Sequence, residues 1–118
     1  MKKILIVDDE EDILQFLSYY FVKNDFLVTT AIDGNHGLSC ALNTKFDLII
    51  SDIRMPNMDG ITMCNTLRNN GVTTPFIFLT AVTDDYKIIH AMKSGANQIV
   101  DKPVKLEYLK FIVEETLK

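Results

Sequence analysis

Three acids, a hydroxyl and an ammonium stand at or just beyond the ends of short apolar runs. Asp8 and Asp9 follow ILIV, Asp52 follows DLIIS, Thr80 closes FIFLT, and Lys102 lies two residues past the pair IV. Held close together, three carboxylates repel one another and push each other toward protonation. A hard divalent cation removes that conflict, because Mg²⁺ takes a few carboxylate oxygens and keeps water or phosphate oxygens in its other positions. Asp8 and Asp9 can hold the ion while Asp52 stays exposed beside it, and a carboxylate so placed can attack phosphorus and carry an aspartyl phosphate. In-line phosphoryl transfer asks mainly for positioning and charge neutralisation. Lys102 and a metal would supply the charge, while the Thr80 hydroxyl and nearby backbone N–H groups bind the phosphoryl oxygens. Ala81 is small and leaves the approach open. Each residue also has an ordinary use. Asp9, with Glu10, Glu11 and Asp12, can cap a helix and complement its dipole. Asp52 can begin a turn, Thr80 can be a plain strand residue and Lys102 a surface charge. That reading suits the members singly and fails for the set.

The elements that must assemble this set are legible as an alternation. The runs ILIV (4–7), LVTTA (27–31), DLIIS (47–51), FIFLT (76–80) and IV (99–100) are rich in β-branched and aromatic residues. Four are continuously apolar, as expected of parallel strands covered on both faces, and the more polar LVTTA suits a sheet edge. Between them Ile13, Leu17 and Phe21, then Ile88, Met92 and Ala96, then Leu106, Leu109 and Val113 recur at helical spacing. Asp33-Gly34 and Asn70-Gly71 break the chain, Asp59 is placed to cap the third helix, and Pro75 opens a strand. Five repeats of strand then helix define an α/β sandwich with a parallel sheet and right-handed crossovers. Ligands of such sheets bind outside the carboxyl ends of the strands. The five residues above all fall on that edge, which brings them together.

Composition narrows the function classes. The chain has 118 residues, 47% hydrophobic and 24% charged, with a net charge of -4. One domain of that length buries roughly two-thirds of its unfolded surface. Its mild acidity, with no cluster of Lys and Arg, argues against a nucleic-acid surface. Cys40 and Cys64 lie in no CxxC and read as buried reduced thiols of a cytosolic protein. The apolar start is too short for a signal peptide or a membrane span.

The segments ILIVDDE, DLIISDIRMPNMDG, FIFLTA, KSGA and DKP, in that order and spacing, resemble the receiver domain of two-component response regulators over essentially the whole chain. The resemblance implies one domain over residues 1–118. It also implies a (βα)5 flavodoxin-like three-layer sandwich with a parallel five-stranded sheet of order 2-1-3-4-5. It makes Asp52 the phosphoacceptor, fed by a sensor histidine kinase or a phosphotransfer protein, with Mg²⁺ (or Mn²⁺) as cofactor. Asp9 becomes a direct metal ligand, Asp8 one that acts largely through water, and Asp52 a third. Arg54 occupies the position whose backbone carbonyl completes the metal shell. Thr80 and Lys102 match the switch hydroxyl and the phosphate-binding lysine, and the family's cis Lys102-Pro103 bond aims the lysine inward. Such a domain is no enzyme beyond Mg²⁺-dependent self-phosphorylation and autodephosphorylation at Asp52. It works in the cytoplasm, without membrane or direct nucleic-acid contact, by switching conformation to control an output protein or an effector domain absent from these residues. The end at Lys118, directly after the fifth helix, suits either a stand-alone receiver or a piece of a longer regulator or hybrid kinase.

Three positions depart from the usual pattern: Ile99 where an aromatic switch residue is common, Val104 where Phe is frequent, and His36 where an acid is more usual. Ile99 is short and branched at Cβ. Coupling is therefore expected through residues 80–82 and the start of the fourth helix, with less movement of the fifth strand. His36 and His90 have no partner at metal-ligand spacing and read as structural or surface residues. Met55, Met58 and Met63 fill gaps beneath the loop after Asp52. Asp84 and Asp85 serve the fourth helix start, and Lys87, Lys93 and Lys105 read as solvated charges or part of a partner surface. A haloacid-dehalogenase-type phosphohydrolase would place a second Asp where Arg54 stands and would need a cap. A nucleotide- or flavin-binding module would need a phosphate loop, not acids, after the first strand. A degenerate receiver used as scaffold would lack some of the five key residues.

Overall fold

A computed structural model describes residues 1–81 and 85–118, with backbone alone for Asp85 and Tyr86. Five strands alternate with five helices: β1 (Lys3–Val7), α1 (Glu11–Lys23), β2 (Leu27–Ala31), α2 (Gly34–Asn43), β3 (Leu48–Asp52), α3 (Gly60–Asn69), β4 (Phe76–Thr80), α4 (Asp85–Lys93), β5 (Gln98–Asp101) and α5 (Leu106–Thr116). All strand pairs are parallel, in the order β2-β1-β3-β4-β5. The polar LVTTA strand is an edge, as its composition predicts.

Strand side chains alternate between two cores, the period-2 consequence of the pleat. Leu5, Val7, Ile49, Phe76 and Phe78 pack with Ala41, Ile61, Met63, Cys64, Leu67 and Ala91 from α2, α3 and α4. Ile4, Ile6, Leu48, Ile50, Ile77 and Leu79 pack with Leu14, Leu17, Phe21, Leu109 and Val113 from α1 and α5. Two buried faces explain why four strands read as unbroken apolar runs.

Several expectations need adjustment. Strand β3 runs one residue further than DLIIS suggests, so Asp52 is its last residue and not a loop residue. The α4 stripe is misplaced: α4 ends at Lys93, Met92 is exposed, and Ala91 is the helix residue that enters the core. Ala96 is buried from the turn that follows. The N-cap of α1 is Glu10, with no capping side-chain bond, so Asp9 does not cap that helix. Cys64 is buried and Cys40 only partly so. Ile99 packs partly buried against the first core. Asp84 and the path through residues 82–84 lie outside the described residues. The methionines behave as expected, with Met63 buried and Met55 and Met58 packed beside it.

Two acids do cap helices. Asp59 Oδ1 accepts from the Thr62 N–H at 2.8 Å, starting α3. Asp33 Oδ1 accepts from the His36 N–H at 2.8 Å, starting α2. His36 Nδ1 in turn accepts from the Ile32 N–H, a structural use of the imidazole. The His36 N–H, then the Asn57 amide, hold the Asp33 carboxyl below the usual carboxylate range. Because its folded pKa is depressed, the contribution is fully present above the unfolded pKa and is lost as pH falls through the folded one. Urea midpoints of wild type and Asp33→Asn should therefore differ by a constant amount at neutral pH and converge in acid below the ordinary Asp pKa. Parallel curves at all pH values would show that the carboxylate charge is unused.

At the far side of the sheet, Arg68 fastens α3 to the turn after α4. Its Nε and Nη2 donate to the Gly95 carbonyl at 3.2 and 2.9 Å, and Nη1 donates to the Val72 carbonyl at 2.9 Å. The Cys64 thiol donates to the adjacent Ser94 carbonyl at 3.4 Å.

Candidate functional site

Strand register brings the acids together. Val7 pairs with Ser51, so the next step along both strands sets Asp8 beside Asp52. Asp52 itself pairs with Leu79, and Thr80 pairs with Asp101, which puts Thr80 and Lys102 on the same edge. The Lys102 N–H donates to the Thr80 carbonyl at 2.9 Å, locking the loop after β5 to the end of β4. The Lys102-Pro103 peptide is cis.

Carboxylate oxygens of Asp8, Asp9 and Asp52 lie within 4.8 Å of one another. Lys102 Nζ sits 2.8 Å from Asp52 Oδ2 and 3.5 Å from Asp8 Oδ2. The sequence suggests an exposed Asp52, but its side chain is only 12% exposed, and Asp8 is buried. Asp9 is the exposed member of the trio. Thr80 is buried at the strand end and Arg54 is exposed in the loop after β3.

Burial pushes the Asp8 carboxyl up, against the opposing pull of the Glu10 N–H and the Lys102 charge. Burial alone would lower the Lys102 ammonium, but the hydrogen bond and charge of Asp52, then Asp8, outweigh it and raise it. Two of the three carboxylates, Asp52 and Asp8, thus share one ammonium. The donor set fits a hard cation: oxygens around Mg²⁺ stand roughly 3 to 4 Å apart, and small side-chain turns would close the trio to that spacing. All three offer oxygen and none offers sulfur or imidazole, which suits Mg²⁺ or Mn²⁺.

Four supporting hydrogen bonds lie beyond the reach of the sequence pattern. The Ile53 N–H donates to Asp52 Oδ1 at 2.7 Å and the Glu10 N–H to Asp8 Oδ1 at 2.9 Å, so the backbone orients both acids. The buried Ser51 hydroxyl donates to the Asp52 carbonyl at 2.7 Å. Asn57 donates to Asp33 Oδ2 at 2.9 Å, tying the β3–α3 loop to α2. Only Asn57 carried a signal, as an amide between Pro56 and Asp59-Gly60, positions that favour left-handed turns.

This fold and this edge define a class. The response regulator receiver domain family matches residues 4–114, and the chain belongs to it. Among its relatives, the response regulator ArlR of Staphylococcus saprophyticus is 37% identical over 109 residues, 92% of this chain and 49% of that protein. The alkaline phosphatase synthesis transcriptional regulatory protein PhoP of Bacillus subtilis is 38% identical over 102 residues, 86% of this chain and 42% of that protein. The receiver domain of Francisella response regulator 1452 superimposes with a TM-score of 0.93 at 32% identity, covering 99% of this chain and 97% of that one. The chain spans about half the length of the two full regulators. Membership in this family implies phosphorylation-dependent signalling. Among the described residues, no helix is long and apolar enough to cross a membrane.

Proposed function

We propose that this chain is a single receiver domain over residues 1–118 that takes a phosphoryl group onto Asp52 from a histidine kinase or phosphotransfer protein. The observation that carries this reading is the trio Asp8, Asp9 and Asp52, with oxygens within 4.8 Å and the Lys102 ammonium 2.8 Å from Asp52. Asp8, Asp9, Asp52 and the Arg54 backbone carbonyl would hold Mg²⁺ or Mn²⁺. Such a cation supplies charge neutralisation to the phosphoryl oxygens.

An Asp52 oxygen attacks phosphorus, the bond from phosphorus to the donor nitrogen breaks, and the donor imidazole leaves with the electron pair. Lys102 releases its contact with the bare carboxylate and pairs with a phosphoryl oxygen, and the Thr80 hydroxyl donates to another. Autodephosphorylation is attack of water on the same phosphorus, which breaks the bond to Asp52, frees inorganic phosphate and restores the carboxylate. The added charge and acceptor oxygens, drawing in Thr80 and Lys102, are the switch that a cytoplasmic output protein or a further effector domain reads.

Intact-mass measurement after incubation with a small phosphodonor tests this reading. One added phosphoryl group is expected with Mg²⁺ and none with a chelator. The same Mg²⁺ concentration should raise the melting temperature by mass action. Absence of both the adduct and the thermal shift would sink the proposed function.

A further inference from the structure

The loop that follows Asp52 is fixed mainly from outside itself. Its ends are held, since the Gly60 N–H donates to the Ile53 carbonyl at 2.8 Å and Asp59 caps α3. Its middle, residues 54–58, has one internal bond, from the Met58 N–H to the Pro56 carbonyl at 2.8 Å. Among the described residues, the one hydrogen bond that joins this middle to another element is that of Asn57 with Asp33. Beside it, the start of α2 meets the loop backbone directly, because a Cβ on Gly34 would overlap the Met58 carbonyl oxygen.

Asn57 sits in the left-handed region at φ 70. That conformation is strained for most residues and is tolerated by Asn or Gly. Glycine would meet the backbone need alone; an Asn side chain adds a contact. Its partner is doubly used, with Oδ1 of Asp33 capping α2 and Oδ2 receiving the Asn57 amide. A strained residue whose side chain ties a site loop to a helix end has the form of preorganisation.

We propose that Asp33 and Asn57 are a positioning pair, whose contact fixes loop 54–58 and thereby holds the Arg54 backbone carbonyl in place beside Asp8, Asp9 and Asp52. The inference rests on the metal-binding role proposed above. Neither residue touches the reacting atoms; both act through the loop. Partners of this outer kind change metal affinity or activity by about 10- to 100-fold when removed.

Asn57→Gly tests the pair, since it keeps the left-handed backbone and leaves the α2 cap intact. Three quantities are read: Mg²⁺ affinity by calorimetry, the rate of phosphoryl uptake, and amide exchange of residues 54–58 in metal-free protein. Asn57→Gly should weaken Mg²⁺ binding by about tenfold, slow uptake in proportion and speed exchange across 54–58, with the metal-free melting temperature nearly unchanged. Asp33→Asn sets two amides face to face and should likewise weaken Mg²⁺ binding and speed exchange across 54–58, with the loss of stability at neutral pH described above. The double variant Asp33→Asn/Asn57→Asp exchanges carboxylate and amide, restores a donor–acceptor pair, and should recover affinity and slow exchange. Mg²⁺ affinity and loop exchange within twofold of wild type in both single variants would overturn the proposal, as would a double variant no better than the singles. If wild type binds no Mg²⁺, the functional reading fails and this inference with it.

Discussion

Asp52→Asn is expected to abolish phosphoryl uptake entirely while leaving the stability of the metal-free protein nearly unchanged. The amide has no oxygen nucleophile of comparable strength, and neither neighbouring acid can replace it. Asp8 is buried with an oxygen engaged by the Glu10 N–H, and Asp9 is exposed to solvent. Stability should move little, because Asp52 has two like-charged neighbours and one opposite. A repulsion at 4.8 Å is worth roughly 3 kcal/mol at an effective dielectric near 20, and the Lys102 attraction at 2.8 Å about twice that. Two repulsions removed and one stronger attraction lost nearly cancel, so the metal-free melting temperature should stay within about 4 °C of wild type. The rise produced by Mg²⁺ should shrink in the same variant. A phosphoryl adduct persisting on Asp52→Asn would move the acceptor elsewhere.

Gly60→Ala is expected to be strongly destabilising for a change of one methyl group. A Cβ there would overlap the Asp52 carbonyl oxygen and approach Phe78 Cε1 to 2.8 Å. Phe78 is fully buried in the core beneath α2, α3 and α4 and cannot retreat. Overpacking of this kind costs about 1–3 kcal/mol, and a backbone carbonyl as the struck atom places Gly60→Ala at the upper end. Chemical denaturation should show it directly. Since the struck carbonyl belongs to Asp52, phosphoryl uptake should also slow in the fraction that remains folded. A variant with wild-type stability would mean that α3 can slide away from β3 without loss.

The same residues show what a sequence can and cannot disclose. Strand runs were legible because burial on both faces leaves an unbroken apolar string, and FIFLT matches β4 residue for residue. Asp8, Asp52 and Lys102 are 44 to 94 positions apart, yet the rule that parallel strands present ligands at their carboxyl ends predicts their meeting. The α4 stripe was misjudged because Met92 and Ile89 are exposed while the small Ala91 faces inward, an inversion that hydrophobic spacing does not reveal. The exposure of Asp52 was misjudged for a different reason. Lys102 closes over it, and a side-chain ion pair across 50 positions leaves no trace in local pattern. Asn57 and Asp33 are 24 positions apart, and neither residue type announces the other.

The Arg68 fastening bears on how α4 can move. Two guanidinium bonds to the Gly95 carbonyl and the Cys64 thiol bond to Ser94 hold the turn just past the helix's last residue, Lys93. A nine-residue helix is about 13 Å long. With its C-terminal end pegged, α4 has a pivot at Arg68. A tilt of about 10° about that pivot would move the opposite end by about 2 Å and the pegged end hardly at all. The fastening thus favours a swing of α4, as of a door, over a slide, as of a drawer.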